Sequence, residues 1–259
     1  GVFANVKLNQ KIAEFKNVKQ LYVFPNMGDG GLCVGGAQLA YFEKTGKIPK
    51  KLQSMYLSNS FSDKIIKKEI KKFNLNFVKP KNIEKEIASL LSKKKVVAHF
   101  SRGMEFGPRA LGNRSILCSA EDASINDTLN KRLQRTEFMP FAPILRKEDA
   151  SKYLKISNKV DYKFMTFTLN CKKLMLKHAP AAVHVDKTAR PQIISKIDNP
   201  RLYKILGEYK KLTGVPILIN TSFNMHEEPI VYSPRDAIRA FLLGNLDNLV
   251  LEQFLIFKK

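Results

Sequence analysis

The chain has 259 residues, 44% of them hydrophobic and 26% charged, which suits one large or two modest globular domains and excludes a disordered chain. No apolar run reaches the roughly 18 residues that a membrane helix needs, and the first residues show no signal-peptide pattern. Three cysteines (Cys33, Cys118, Cys171) without CxxC spacing argue against a disulfide framework or zinc ribbon, so a cytoplasmic protein with reduced thiols is expected. The net charge of +22 would suit a polyanion surface, but an AT-rich genome produces the same Lys-, Asn- and Ile-rich mixture. Only ten of the 45 basic residues are Arg, none precedes Arg102, and six fall between Arg102 and Arg146. A chain that changes from Lys to Arg in one region needs forked donors there, of the kind that match phosphate and carboxylate oxygens.

In chain order, a helix is expected over 5–15 and a short strand over 20–24 (QLYVF). The turn PNMGDGG and a small-residue helix over 32–42 follow, and 46–51 is a loop and candidate boundary. Residues 62–73 form an amphipathic helix with Ser62 at its N-cap, 82–92 form another, and 96–100 (VVAHF) a strand. The Lys clusters at 67–72 and 93–95 read as solvated helix faces and ends. Farther on, a helix is expected over 124–134, an alternating strand over 162–169, and a helix over 199–213 that stops at Gly214. A buried strand over 215–220, a helix over 233–243 with Ser at the cap and Pro in its first turn, and one strand over 248–256 close the chain.

Five segments carry residues suited to chemistry. MEFGPRALGNRS (104–115) places Arg109 and Arg114 on a Gly/Pro loop directly after a strand, aimed at one anion. In KRLQRTEFMPFAP, Arg132 and Arg135 share a helix face before a rigid apolar run. In HVDKTAR, an extended backbone would put His184, Asp186, Thr188 and Arg190 on one face. NTSFN brings Asn220, Ser222 and Asn224 to the carboxyl end of a buried strand, with His226 a loop residue or a ligand. GDGG holds Asp29 in a turn that would suit a metal or phosphate, although it is neither a P-loop nor a dinucleotide fingerprint. Cys33 and Cys118, beside two of these segments, read as small buried hydrophobes.

GMEFGPRALGNRSIL, RTEFMPFAP, HVDKTARPQ and PILINTSFNMHEEPIV resemble, in this order, the carboxyl-terminal half of the O-carbamoyltransferases of the nodulation-protein and antibiotic-tailoring family. GVFANVKLNQ and FPNMGDGGLCVGGA resemble the end of that family's amino-terminal domain. The resemblance implies an α/β (α+β) fold in two parts. Residues 1–50 would be the remnant of a sugar-kinase/heat-shock-ATPase-like domain, and 51–259 a YrdC-like mixed-sheet carbamoyltransferase domain. It also implies that carbamoyl phosphate and ATP, with Mg2+, form carbamoyl adenylate, and that the carbamoyl group then passes to a hydroxyl acceptor such as a sugar or natural product.

Matched motif by motif, Arg109, Arg190, Asn220 and Ser222 would be catalytic, and Arg114, Arg135, His184, Asp186 and Asn224 would bind substrate or nucleotide. Asp29 would contribute to an iron-type divalent metal site that only the complete protein holds. Two departures stand out. Met139 replaces an Arg of many members, and His99, His178, His184 and His226 offer no HxxxH pair for the metal, so the chain is expected to be a fragment or one half of a split enzyme. A homodimer would cover the exposed edge of a truncated domain, and no membrane partner is expected. The alternatives from other classes are a basic RNA-binding YrdC-like module and an inactive structural partner. A small-anion cavity is favoured over nucleic acid because no basic stripe interleaved with aromatics is visible.

Overall fold

The computed structural model describes residues 1–50, 52–135 and 141–257. In chain order the elements are α1 (Val6–Glu14), α2 (Leu32–Thr45), α3 (Asp63–Lys72), α4 (Ile83–Ser92), β1 (Val97–Phe100), β2 (Arg114–Ser119), α5 (Ile125–Arg132), β3 (Ala142–Arg146) and α6 (Lys147–Tyr153). They continue with β4 (Leu169–Asn170), α7 (Lys173–His178), β5 (Thr188–Ala189), β6 (Gln192–Ile194), α8 (Pro200–Thr213), β7 (Ile217–Ser222), α9 (Pro234–Leu243), β8 (Asn248–Leu251) and β9 (Phe254–Phe257).

Among the described residues seven strands form one mixed sheet in the order β6-β3-β7-β2-β1-β8-β9, and β4 pairs with β5 apart from it. β1 runs parallel to β8 and β3 parallel to β6, while the remaining neighbours are antiparallel. The period of two along each strand divides its side chains between two cores. Val97, Leu117, Ile144, Leu218 and Val250 face α4 and α8, packing on Ile87, Leu91, Leu202 and Ile205. Ala98, Ile116, Cys118, Ile219 and Leu249 face the opposite side, against Ile66 and Ile70 of α3, Leu129 of α5, and Ile238 and Phe241 of α9. A sheet buried on both faces reads as continuous apolar runs, as VVAHF and VPILIN do.

The helix boundaries follow local chemistry. The side chains of Ser62, Asn82 and Asn199 accept from backbone amides in the first turns of α3, α4 and α8, and Ser233 with Asp236 forms a capping box on α9. Gly214, at φ 76°, ends α8 in the left-handed conformation. The clustered lysines at 67–72 and 93–95 are exposed, as their charge requires.

Four expectations need correction. Residues 20–24 pair with no strand among the described residues; they run along the body, with the Leu21 amide donating to the carbonyl of Lys159 and Val23 buried. Of 162–169 only Leu169 joins a strand, because Met165 takes a left-handed φ of 56° that breaks the extended run. Residues 248–256 form a hairpin, turning at Glu252 (φ 53°) between β8 and β9. Cys33 is exposed, whereas Cys118 is buried and its thiol is pushed up to about 12 by that burial.

α1 lies against residues 159–170: Asn9 Nδ2 donates to the carbonyl of Thr166 at 2.8 Å, and the Thr168 hydroxyl donates to Gln10 Oε1 at 2.7 Å. Among the described residues no helix is long and apolar enough to cross a membrane.

Candidate active site

The carboxyl end of β7 opens beside the 101–113 connection between β1 and β2, and a cavity of about 210 Å³ lies between them. Arg109, Arg135, Arg190, Asn220, Ser222 and Asn224 line it, from four separate stretches of chain. Sheet pairing is what assembles them. β7 lies between β2 and β3, so Asn220 stands opposite Leu117 on one side and Ala142 on the other. Arg190 enters from the segment just before β6, the strand on the far side of β3.

Glu105, which is buried, shapes the arginine loop. Its Oε1 accepts from the backbone amides of Leu111 and Asn113 at 2.7 Å each, and from that of Arg114 at 3.3 Å. Burial pushes its carboxyl up, against the lowering effect of those backbone donors and the Arg114 charge. Gly107 and Gly112 take φ values of 135° and 114°, which side chains resist, and a Cβ on Gly112 would lie 2.3 Å from Leu202 Cδ2. Gly107 also lies against Pro25 and Asn26, so the Asp29 turn and the arginine loop are neighbours.

Among the described residues the three cavity arginines form no ion pair. Arg135 is held by neutral partners, donating to Thr221 Oγ1 at 2.9 Å, to the carbonyl and Oγ of Ser222 at 3.0 and 3.2 Å, and to Asn224 Oδ1 at 3.3 Å. Among the described residues no carboxylate lies within ion-pair distance of Arg109, Arg135 or Arg190. Among the described residues the one carboxylate lining the cavity, Glu227, is an exposed rim residue 3.9 Å from His226. Burial, and after it the charge of Arg109, pushes Arg190 down to about 9; burial alone lowers Arg109 and Arg135. All three remain cationic at neutral pH, so the cavity concentrates positive charge in a partly desolvated place. An anion bound there recovers Coulomb energy that water would otherwise screen.

The remaining predicted residues lie elsewhere. Arg114 shares the loop with Arg109 but turns inward and is fully buried. Its guanidinium donates to the carbonyls of Ser101, Asn113 and Arg102 and stacks on Phe100, which marks it as a structural residue. His184 and Asp186 are outside the lining, because residues 184–188 are not an extended run. The His184 amide donates to the Thr188 carbonyl, and Lys187 takes a φ of 59° to close the turn. Asp186 accepts from the Thr188 amide and hydroxyl and pairs with Lys7 of α1 at 2.6 Å, and the Lys7 hydrogen bond holds its carboxyl low. Burial lowers His184, whose Nδ1 lies 3.1 Å from Thr188 Oγ1.

Asp29 is exposed in a short 3-10 turn, and among the described residues no three His, Cys, Asp or Glu side chains are grouped to hold a metal ion. These residues by themselves do not fit an iron-type site. Met139 lies outside the described residues, as does the 136–140 part of its motif. Sequence reasoning missed Thr221, Met165 and Phe141 as lining residues, and Glu105 and Gln192 as supports. Thr221 sits inside the NTSFN motif and Glu105 inside MEFGPRALG, so both were within reach; Met165 gave no signal.

The profile of the family described as carbamoyltransferase C-terminus matches residues 88–258. The chain is 37% identical over 268 residues to an uncharacterized protein of Methanocaldococcus jannaschii, covering 100% of this chain and 44% of that one. It is 33% identical over 265 residues to nodulation protein NolNO of Sinorhizobium fredii, covering 100% of this chain and 39% of the relative. The chain thus spans less than half the length of these two curated relatives. Among solved structures, full-length HypF in the phosphate- and nucleotide-bound form matches with a TM-score of 0.50 at 22% identity, over 68% of this chain and 25% of HypF. That likeness shows the fold, shared with a protein that has a YrdC-like domain.

Proposed function

The chain belongs to the carbamoyltransferase C-terminus family, and on that premise we propose that its arginine-lined cavity binds carbamoyl phosphate with ATP and converts the carbamoyl group into carbamoyl adenylate. The observation that carries this reading is the convergence of Arg109, Arg135 and Arg190 on one cavity with, among the described residues, no carboxylate paired to any of them. Uncompensated guanidiniums in a half-buried cavity suit a small polyanion better than an extended nucleic acid, which would need a long open surface.

Two steps balance the chemistry. Water opens the mixed anhydride of carbamoyl phosphate, giving carbamate and phosphate. A carbamate oxygen then attacks the α-phosphorus of ATP, and the bond to the β-phosphate oxygen breaks to release pyrophosphate. Each step gathers negative charge on phosphoryl oxygens, which fixed donors stabilise without reorganising. Arg109 and Arg190, which approach each other closely enough for one charge to depress the other, would hold one phosphoryl group between them. Arg135, fixed by Thr221, Ser222 and Asn224, would present its fork to the second anion, with Ser222 adding a hydroxyl. Mg2+ would travel with the ATP phosphates.

In the complete protein the adenylate would pass its carbamoyl group to a hydroxyl acceptor of sugar type, releasing AMP. Residues 1–50, beside the arginine loop at Gly107, would be the end of the domain that does so. The test is release of phosphate and pyrophosphate from carbamoyl phosphate and ATP–Mg2+, by this chain and by Arg109→Ala. ATP-dependent release that Arg109→Ala abolishes is expected; absence of both turnover and calorimetric binding of carbamoyl phosphate, ATP and pyrophosphate would refute the reading.

A further inference from the structure

Behind the cavity two side-chain amides form a chain whose polarity the backbone fixes. Gln192, the first residue of β6 and 1% exposed, donates from Nε2 to the carbonyl of Leu111 at 2.8 Å. A carbonyl only accepts, so that end of the Gln192 amide is the nitrogen and the other end is Oε1. Oε1 accepts from Nδ2 of Asn220 at 2.7 Å, and the same Asn220 nitrogen donates to the carbonyl of Ala110 at 3.2 Å. Two backbone carbonyls therefore settle the orientation of both amides. Both protons of the Asn220 amide are used, and Asn220 Oδ1 is left buried with no partner among the described residues. Asn220 lines the cavity and is itself 1% exposed. Other Asn oxygens of this chain are also buried without a partner among the described residues, but of these Asn220 alone belongs to the cavity lining, where a ligand can supply the donor.

We infer that Gln192 is a positioning residue that holds Asn220 Oδ1 as an acceptor toward a ligand N–H, so that the cavity selects a primary-amide acyl group over an acyl group of the same shape bearing a methyl. The inference rests on the proposed binding of carbamoyl phosphate. The three arginines cannot make this distinction, because they donate only and treat the carbonyl and phosphoryl oxygens of a carbamoyl or an acetyl compound alike. The methyl of an acetyl group would leave Asn220 Oδ1 bare, whereas the carbamoyl nitrogen fills it. Without Gln192 only the longer bond to the Ala110 carbonyl still holds the Asn220 nitrogen, so the amide turns over more readily to present its nitrogen and the preference for a donor on the ligand weakens. The loop itself keeps a second anchor, since the Tyr56 hydroxyl also donates to the Leu111 carbonyl at 2.7 Å.

Two stable probes isolate the effect: phosphonoacetamide and acetonylphosphonate, which differ only in an NH2 or CH3 on the carbonyl. Calorimetry of the chain is expected to show phosphonoacetamide binding about 5- to 150-fold tighter, the range that one unfilled buried acceptor spans. In Gln192→Met that ratio should fall toward one while pyrophosphate affinity is unchanged. Gln192→Glu should keep the ratio, because a buried Glu still accepts from Asn220. Equal binding of the two probes by the unaltered chain would overturn the inference and leave the anion site standing, and that measurement does not depend on any variant folding. A ratio that survives in Gln192→Met would remove Gln192 from the argument. Failure of both probes and of pyrophosphate to bind would instead overturn the proposed function.

Discussion

The guanidinium carbon of Arg114 lies 3.5 Å from the centroid of the Phe100 ring, across the β1–β2 pairing that sets these two residues opposite each other. Burial pushes Arg114 down to about 10, partly offset by Glu105 and Glu252, so the group stays charged inside the protein. Removing its fork leaves the carbonyls of Ser101, Asn113 and Arg102 without that donor. Arg114→Met is expected to cost about 3 kcal/mol of stability in urea unfolding. The folded fraction should bind pyrophosphate as the unaltered chain does, which separates Arg114 from Arg109.

Arg190 should show the opposite balance. It is half-buried, beside Arg109, and has no ion-pair partner among the described residues, so its charge opposes folding. Arg190→Met is expected to raise stability by about 1 kcal/mol while abolishing pyrophosphate binding. Thermal unfolding with and without pyrophosphate checks both. The unaltered chain gains about 2.7 kcal/mol at a ligand concentration of 100 Kd, and the variant gains nothing.

Arg135 tests the geometry of the fork rather than its charge. Its two terminal nitrogens reach Thr221 Oγ1 through one branch, and Ser222 and Asn224 through the other, a spread that a Lys ammonium cannot copy. Arg135→Lys should weaken ATP affinity about tenfold, which is about 1.4 kcal/mol. Retained affinity in calorimetry would mean that the charge alone suffices.

His99 provides a pH signature unrelated to the site. It is fully buried, its Nδ1 lies 2.6 Å from the Gly112 carbonyl, and burial, then Arg201, pushes its pKa down to about 3. The unfolded chain takes up a proton at this position below about pH 6.5, and the folded chain does not until about pH 3. More protons bound in the unfolded state means that stability falls as pH falls through this window. The His99 contribution approaches 1.4 kcal/mol per pH unit at most. Urea titrations at pH 7, 6 and 5 should show this slope, and His99→Gln should flatten it.

Gly112 is a point where backbone angle and close packing agree. With φ at 114° and Leu202 Cδ2 2.3 Å from an added Cβ, Gly112→Ala is expected to cost about 2–4 kcal/mol and to loosen the arginine loop. A urea midpoint within error of the unaltered chain would show that the loop shifts freely to make room.

Much of the fold could be read locally. SDKII, PKNIE, DNPRL and YSPRD each announce a helix start, because a capping side chain reaches amides only two or three residues away. Gly214 likewise ends α8 by its own backbone freedom. The failures have the same origin in reverse. HVDKTAR and YKFMTFTL alternate as strands do, yet Lys187 and Met165 take left-handed angles, which alternation cannot reveal. NLVLEQFLI looks like one strand because a two-residue turn at Glu252 carries no Gly or Pro to mark it.

By itself, then, the sequence determined the mixed α/β character, most helix starts, the family resemblance, and the concentration of Arg in Gly/Pro loops of a chain otherwise built with Lys. Tertiary structure alone decided which of those arginines meet. Arg109 and Arg114 lie five positions apart on one loop, yet Glu105 and Gly112 bend that loop so that one faces the cavity and the other stacks on Phe100. Arg109, Arg135 and Arg190 converge only because β7 pairs between β2 and β3, and β6 with β3. His184 and Asp186, equally suggestive as a motif, fold into a turn tied to Lys7. The reason is the range of the interactions: caps and turns are fixed by hydrogen bonds within a few residues, whereas the direction of a side chain and its company depend on strand pairings between distant parts of the chain.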